Sequence, residues 1–245
     1  MIPSYNELIH EVLTKGHKVT VRGLPTTEMI GVQVQLEAGE TIARKGYNQA
    51  LGWMELLQIL AGSFNPEALR IVAPKARHDL FTPQMAYGPR LKDQLPVVVD
   101  LLKKDPTTRR AVVYLARQEE LAAGVESPCT SSIQFLYRGG MLHGVVSMRS
   151  WDLVKGLTYD IVMFGGLVQA VARAIGTVGG QVVIMAGSAH IYDSDLPVAG
   201  VEGPVFSIGI PFPLTWRGIV WQAEDYIVSL PEWISRRRPD GITSL

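Results

Sequence analysis

Residues Ser127–Tyr192, SPCTSSIQFLYRGGMLHGVVSMRSWDLVKGLTYDIVMFGGLVQAVARAIGTVGGQVVIMAGSAHIY, carry the signals that decide the fold. Ile133–Tyr137 and Met141–Met148 flank Arg138-Gly139-Gly140, which reads as a hairpin turn between two strands. Asp160–Ile175 is a long apolar helix, and after Gly179-Gly180 the run Gln181–Ala186 reads as a buried strand. Upstream, residues 47–61 (YNQALGWMELLQILA) place apolar side chains at helical spacing and stop at Gly62, a fitting helix C-terminus. Residues 62–92 are rich in Pro, Gly and charge and predict irregular structure with short helical pieces. Leu95–Lys104 is a second amphipathic helix, ended by Asp105-Pro106, and Ala111–Ala116 is a run of strand length. Strands and helices mix without regular alternation. This predicts one domain over residues 1–245, of α/β or α+β class, on a mostly antiparallel or mixed sheet.

Composition narrows the function. Hydrophobic residues make up 47% and charged residues 19%, the balance of a packed globular chain and not of a disordered one. The 23 basic and 23 acidic residues cancel, so the cationic excess that drives binding to nucleic acid polymers is missing and free nucleotides are the better partners. The opening residues lack the apolar core of a secretory signal. The most apolar tract, about Ile161 to Ala186, is broken by Arg173 and five glycines and reads as a helix and a buried strand, not a membrane span. A cytoplasmic location is expected, in a bacterium or a phage-infected cell. The single cysteine, Cys129, excludes an internal disulfide and a thiolate zinc cluster, and no metal site is read. A lone cysteine is either an inert core residue, the commoner case, or a nucleophile.

Taken singly, each polar residue of the block has an ordinary explanation. Pro128-Cys129 fits a strand entry, Arg149-Ser150 a solvated strand end, Asp152 a turn, Asp160 a helix cap, and His190-Ile191-Tyr192 an edge-strand alternation. Their joint spacing points elsewhere. Arg149-Ser150-Trp151-Asp152 begins twenty residues after Cys129, Asp160 lies eleven after Arg149, and His190 thirty after Asp160.

This set resembles the thymidylate synthases and their relatives the deoxycytidylate hydroxymethylases, whose pattern is Pro-Cys, Arg-Ser-x-Asp, a polar base reader and His-x-Tyr at those intervals. Glu55 in MELLQILAG, Arg109-Arg110 in DPTTRR, Arg22, and Tyr87-Gly88 extend the likeness, so it runs from Arg22 to Tyr192. The resemblance implies a large mixed β-sheet flanked by helices, in a homodimer formed through the sheet. It implies Cys129 as nucleophile on a pyrimidine nucleotide and 5,10-methylenetetrahydrofolate as one-carbon donor. Thiolate addition at carbon 6 makes carbon 5 nucleophilic, which requires an activated thiol. Arg22, Arg149, Ser150 and the partner chain's copies of Arg109 and Arg110 are implied to bind the 5′-phosphate. His190 and Tyr192, alternate residues of one strand, are implied to face the sugar. Glu55 is implied to manage protons and, with Lys45 and Tyr87, to meet the folate. Asp152 and Asp160 are implied to hold the base.

The departures refine the expectation. Synthases carry Asn where this chain has Asp160, and hydroxymethylases carry Asp. An amide suits uracil, whereas a protonated carboxyl donates to the ring nitrogen of cytosine and accepts from its amino group. Thr130 replaces the His that follows the synthase cysteine, Met148 replaces a Gln, and the Trp expected between Leu69 and Tyr87 is missing. Without that Trp the site should admit water and release a hydroxymethyl product. The expectation is 5-hydroxymethylation of a cytidylate, dCMP first, with tetrahydrofolate as product. The rivals are dCMP methylation releasing dihydrofolate, hydroxymethylation of the ribonucleotide CMP, and an inactive nucleotide-binding relative, against which the intact Cys129, Glu55 and arginines count.

Overall fold

A computed structural model describes residues 4–41, 45–74, 82–201 and 212–236, with side chains described up to residue 229. Six strands form one sheet: β1 (His17–Val21), β2 (Leu24–Glu37), β3 (Val112–Tyr114), β4 (Thr130–Arg138), β5 (Met141–Asp152) and β6 (Val178–Tyr192). Their order is β1-β2-β6-β5-β4-β3, and every pairing is antiparallel except β5 with β6. The helices are α1 (Tyr5–Lys15), α2 (Gln49–Leu60), α3 (Pro66–Val72), α4 (Tyr87–Leu91), α5 (Gln94–Lys104), α6 (Gln118–Ala123), α7 (Leu157–Ile175) and α8 (Trp216–Arg236). This is the mixed sheet flanked by helices that the sequence predicts.

The central crossover shapes everything else. Parallel neighbours need a long connection, and α7 supplies it, packing on β5 and β6 with α2, α5 and α8 against it. Alternation along β6 turns Val182, Ile184 and Ala186 into the core, while Met185 between them is 39% exposed on the other face. That other face also presents Gln33 of β2 and Ser147 of β5 around a shallow hollow.

The element boundaries refine the reading of the chain. Asn48 caps α2 by accepting from the Leu51 amide, and the hairpin closes at Arg138 opposite Met141. The strand expected at Ala111–Ala116 shortens to Val112–Tyr114, and α3 and α4 are the short helical pieces expected between residues 62 and 92. Three differences matter for the site. The crossover helix begins at Leu157, three residues before Asp160, so Asp160 sits inside its first turn and does not cap it. The strand expected at Gln181–Ala186 runs on to Tyr192, because its pairing with β2 continues to Thr26. The β1–β2 hairpin is an additional element, turned at Arg22 and Gly23, both with positive φ.

Gly88 fixes the seat of α4 on the end of α2. A Cβ at this position would lie 2.2 Å from the Ser63 carbonyl oxygen and 2.5 Å from that of Gln58, both backbone atoms that cannot swing aside. Gly88→Ala should therefore cost about 1–3 kcal/mol or more of stability, read as a lowered urea midpoint, and should loosen Tyr87 beside it. An unchanged midpoint would contradict this packing.

Candidate active site

Strand register gathers the residues singled out from sequence at one end of the sheet. The Arg149 amide donates to the Cys129 carbonyl at 2.8 Å, which sets the nucleophile candidate beside the Arg-Ser-x-Asp segment. Across the parallel pairing Ser150 lies opposite Ser188, and Asp152 opposite His190. On the far side of β6, Tyr192 lies opposite Thr26, close to the hairpin turn that carries Arg22. His190 and Tyr192, two apart on the strand, stack edge to face with ring centroids 5.0 Å apart.

The chain around Cys129 is held from both sides. Arg149 donates from Nη2 to the Ser127 carbonyl at 2.8 Å and from Nε to the Pro128 carbonyl at 3.3 Å. Arg22 pairs with Glu126, in the same approach to Cys129. Thr130, next in sequence, shares a 2.9 Å hydroxyl hydrogen bond with Tyr87 of α4. Arg90, also in α4, donates to the Leu115 carbonyl at 2.6 Å and forms a largely buried ion pair with Glu120 of α6. The helix bearing Tyr87 is thereby tied to the segment that leads into Cys129.

Behind the cysteine lies a buried carboxyl pair. Asp160 is only 9% exposed, and burial pushes its carboxyl up to about 8; Asp152 adds to the rise, and a hydrogen bond from Trp151 opposes it. Glu55 of α2 is also pushed up to about 8, by burial first and by Asp160 second. Its Oε2 is buried with no hydrogen-bond partner among the described residues. Tyr47, whose ring centroid is 4.8 Å from that of Tyr159, and Tyr87 are both shifted upward, chiefly by burial, so their phenols stay neutral. Burial raises the Cys129 thiol as well. Arg149 pulls it down, but the thiol remains above its ordinary value, so the arginine does not outweigh desolvation.

Arg109 and Arg110 are exposed before β3, and Arg110 reaches Asp105 at 4.0 Å. Lys45 is exposed, and its amide donates to the Val201 carbonyl. Asp152 accepts from the amides of Val154 and Lys155 at 2.9 and 2.8 Å, so its Oδ1 shapes the turn into α7. Sequence reasoning missed Trp151, Tyr47 and the Arg90–Glu120 pair. Trp151 stands at the variable place of Arg-Ser-x-Asp, and the others have no motif to mark them.

The thymidylate synthase family model matches residues 3–202, which takes in the whole sheet and all of this cluster. The thymidylate synthase of Enterobacteria phage T4 is 26% identical over 225 residues, 77% of this chain and 76% of the phage protein. The thymidylate synthases of Listeria monocytogenes serotype 4a (strain HCC23) and Listeria innocua serovar 6a are each 29% identical over 104 residues. Those stretches amount to 42% of this chain, which thus spans about a third of the length of the Listeria proteins. Because that match covers well over half of the sequence, the chain belongs to the thymidylate synthase family.

Proposed function

We propose that this chain transfers a one-carbon unit to carbon 5 of a cytidylate, dCMP first, and releases a 5-hydroxymethyl nucleotide. Family membership supports one-carbon transfer to a pyrimidine nucleotide. The observation that carries the choice of cytosine is Asp160, whose buried carboxyl is pushed up to about 8. A carboxyl that keeps its proton near neutrality is both donor and acceptor, as the ring nitrogen and amino group of cytosine require.

The residues fit methylenetetrahydrofolate as one-carbon donor. A buried carboxyl oxygen without a partner is costly, and the Oε2 of Glu55, which has none among the described residues, would be satisfied by a donor-bearing ring or an ordered water. Glu55, Lys45 and Tyr87 would hold the folate, which supplies the one-carbon unit when bound. The chain's own part is carried by five groups of residues. Arg22, Arg149 and Ser150 take the phosphate, Arg22 exchanging Glu126 for it. His190 and Tyr192 face the sugar, and Asp152 and Asp160 hold the base. The Cys129 thiolate forms a bond to carbon 6, and the electron pair of the ring double bond moves to carbon 5. That pair would bond carbon 5 to the one-carbon unit; carbon 5 then loses its hydrogen as a proton, which Glu55 relays through water, the Sγ–C6 bond breaks, and a water supplies the hydroxyl of the product. The sheet face that presents Gln33, Ser147 and Met185 suits a second copy, which would bring its Arg109 and Arg110 to this phosphate site.

Cys129→Ser should abolish release of tritium from carbon 5 of dCMP while leaving nucleotide binding largely intact, and substantial release would sink the mechanism. Asp160→Asn should lose activity on dCMP and gain it on dUMP, moving the preference by about tenfold or more per misaligned hydrogen bond. An unchanged cytosine preference would remove the substrate assignment, and a dihydrofolate absorbance rise on turnover would make the product methyl instead of hydroxymethyl.

Because Asp160 acts in its protonated form, wild-type turnover of dCMP should decline as pH rises through about 8. A flat profile on the alkaline side would contradict that role. Mixing an Arg109→Ala/Arg110→Ala chain with a Cys129→Ser chain should restore activity through heterodimers with one intact site. Verified heterodimers without activity would place those arginines in their own subunit.

A further inference from the structure

We infer that Trp151 is a specificity-determining positioning residue, whose indole N–H holds Asp160 Oδ2 as the accepting oxygen and leaves Oδ1 to carry the proton toward cytosine. The inference rests on the reading of Asp160 as the group that recognises the base.

The indole nitrogen of Trp151 donates to Asp160 Oδ2 at 3.1 Å, and Trp151 has no exposed surface at all. An indole N–H is a donor and nothing else. The carbonyl oxygen of a neutral carboxyl accepts better than its hydroxyl oxygen, so a fixed donor at Oδ2 favours the proton on Oδ1. Gly156 lies against the same oxygen. A Cβ there would sit 3.2 Å from Oδ2 and 3.0 Å from the Asp152 carbonyl, so a side chain at this position would crowd Oδ2. Oδ1 accepts no hydrogen bond from the described residues and is available to a ligand.

Orientation matters because the cytosine edge has a polarity. An O–H must meet the ring nitrogen, and an acceptor must meet the amino group. The carboxyl torsion has two nearly equivalent settings, and the inverted one sets donor against donor and acceptor against acceptor. Oδ2 has lone pairs for both the indole and the amino group, so the Trp151 contact survives when the base arrives. Trp151 touches neither base nor cofactor in this scheme and acts through Asp160 alone.

Ionisable groups approach Asp160 from several elements: Glu55 from α2, Tyr87 from α4, Cys129 from the entry to β4, and Asp152 from the end of β5. None of these is a cation. Against burial and Asp152, the indole hydrogen bond is what favours the charged carboxylate. Its removal should therefore move the alkaline decline of dCMP turnover to higher pH, even as the lost orientation lowers the rate. A defect of packing alone lowers activity without moving that limb.

The test uses two forms of the full-length protein: Trp151→Phe, and a chain with 3-benzothienylalanine at position 151, which keeps the indole outline and replaces N–H with sulfur. dCMP and dUMP binding and kcat/KM for dCMP are measured across neutral and alkaline pH. Both forms should lose about tenfold in kcat/KM for dCMP, hold their dUMP affinity, and shift the alkaline limb upward. If Trp151→Phe does not fold, the isosteric chain decides. An isosteric chain with wild-type dCMP preference and a wild-type limb overturns the inference while the cytidylate assignment stands. A wild-type protein that does not favour dCMP over dUMP overturns the assignment, and the inference with it.

Discussion

The parallel pairing of β5 with β6 sets Asp152 opposite His190 and Trp151 opposite Ala189, and the other site residues take their places from that pairing. It demands the α7 crossover, whose first turn then stands over the ends of both strands and carries Asp160. It also leaves the outer edge of β5 to β4, whose entry holds Cys129, and the outer edge of β6 to β2, whose hairpin turn holds Arg22. A slip of one residue between β5 and β6 would turn the side chains of one strand to the face opposite those of the other and part Asp152 from His190.

Desolvation is the stronger electrostatic influence at this end of the sheet. The arginines are nearby, yet Cys129, Glu55, Asp160, Tyr47 and Tyr87 all shift toward their neutral forms. Arg149 makes the point within one residue: its guanidinium is spent on the Ser127 and Pro128 carbonyls, which fix the cysteine's backbone more than they charge its sulfur. The candidate site is thus a store of protons beside cations that are partly occupied by the protein's own oxygens.

Much of this was legible in the chain. The helix around Glu55, the Arg138–Met141 hairpin and the crossover helix were readable because apolar periodicity there is strong and local. The full length of β6 was not, since its last residues are strand by virtue of pairing with β2, far away in sequence. The first strand pair went unread for a related reason: His17–Val21 is an edge strand with little burial to mark it. In the candidate site, spacing singled out Cys129, Asp160 and His190 but could not show that Trp151 reaches Asp160. Nor could it show that Tyr87 meets Thr130. Those contacts cross between elements and leave no pattern along the chain.

The distant pairing of β2 with β6 also has a temporal consequence. Thr26 meets Tyr192, and Glu37 meets Gln181, so these ladders close only after most of the chain exists. Contacts so remote in sequence are slow to form, because a long loop must be closed before any bond rewards it. During synthesis the β4–β5 hairpin, with Cys129 at its entry, is made before β6. The inner edge of β5 then lies open, a strand edge able to pair with whatever it meets. The nascent chain carries Cys129 beside that edge until β6 arrives, so the pairing that completes the candidate site is also the one that closes the edge.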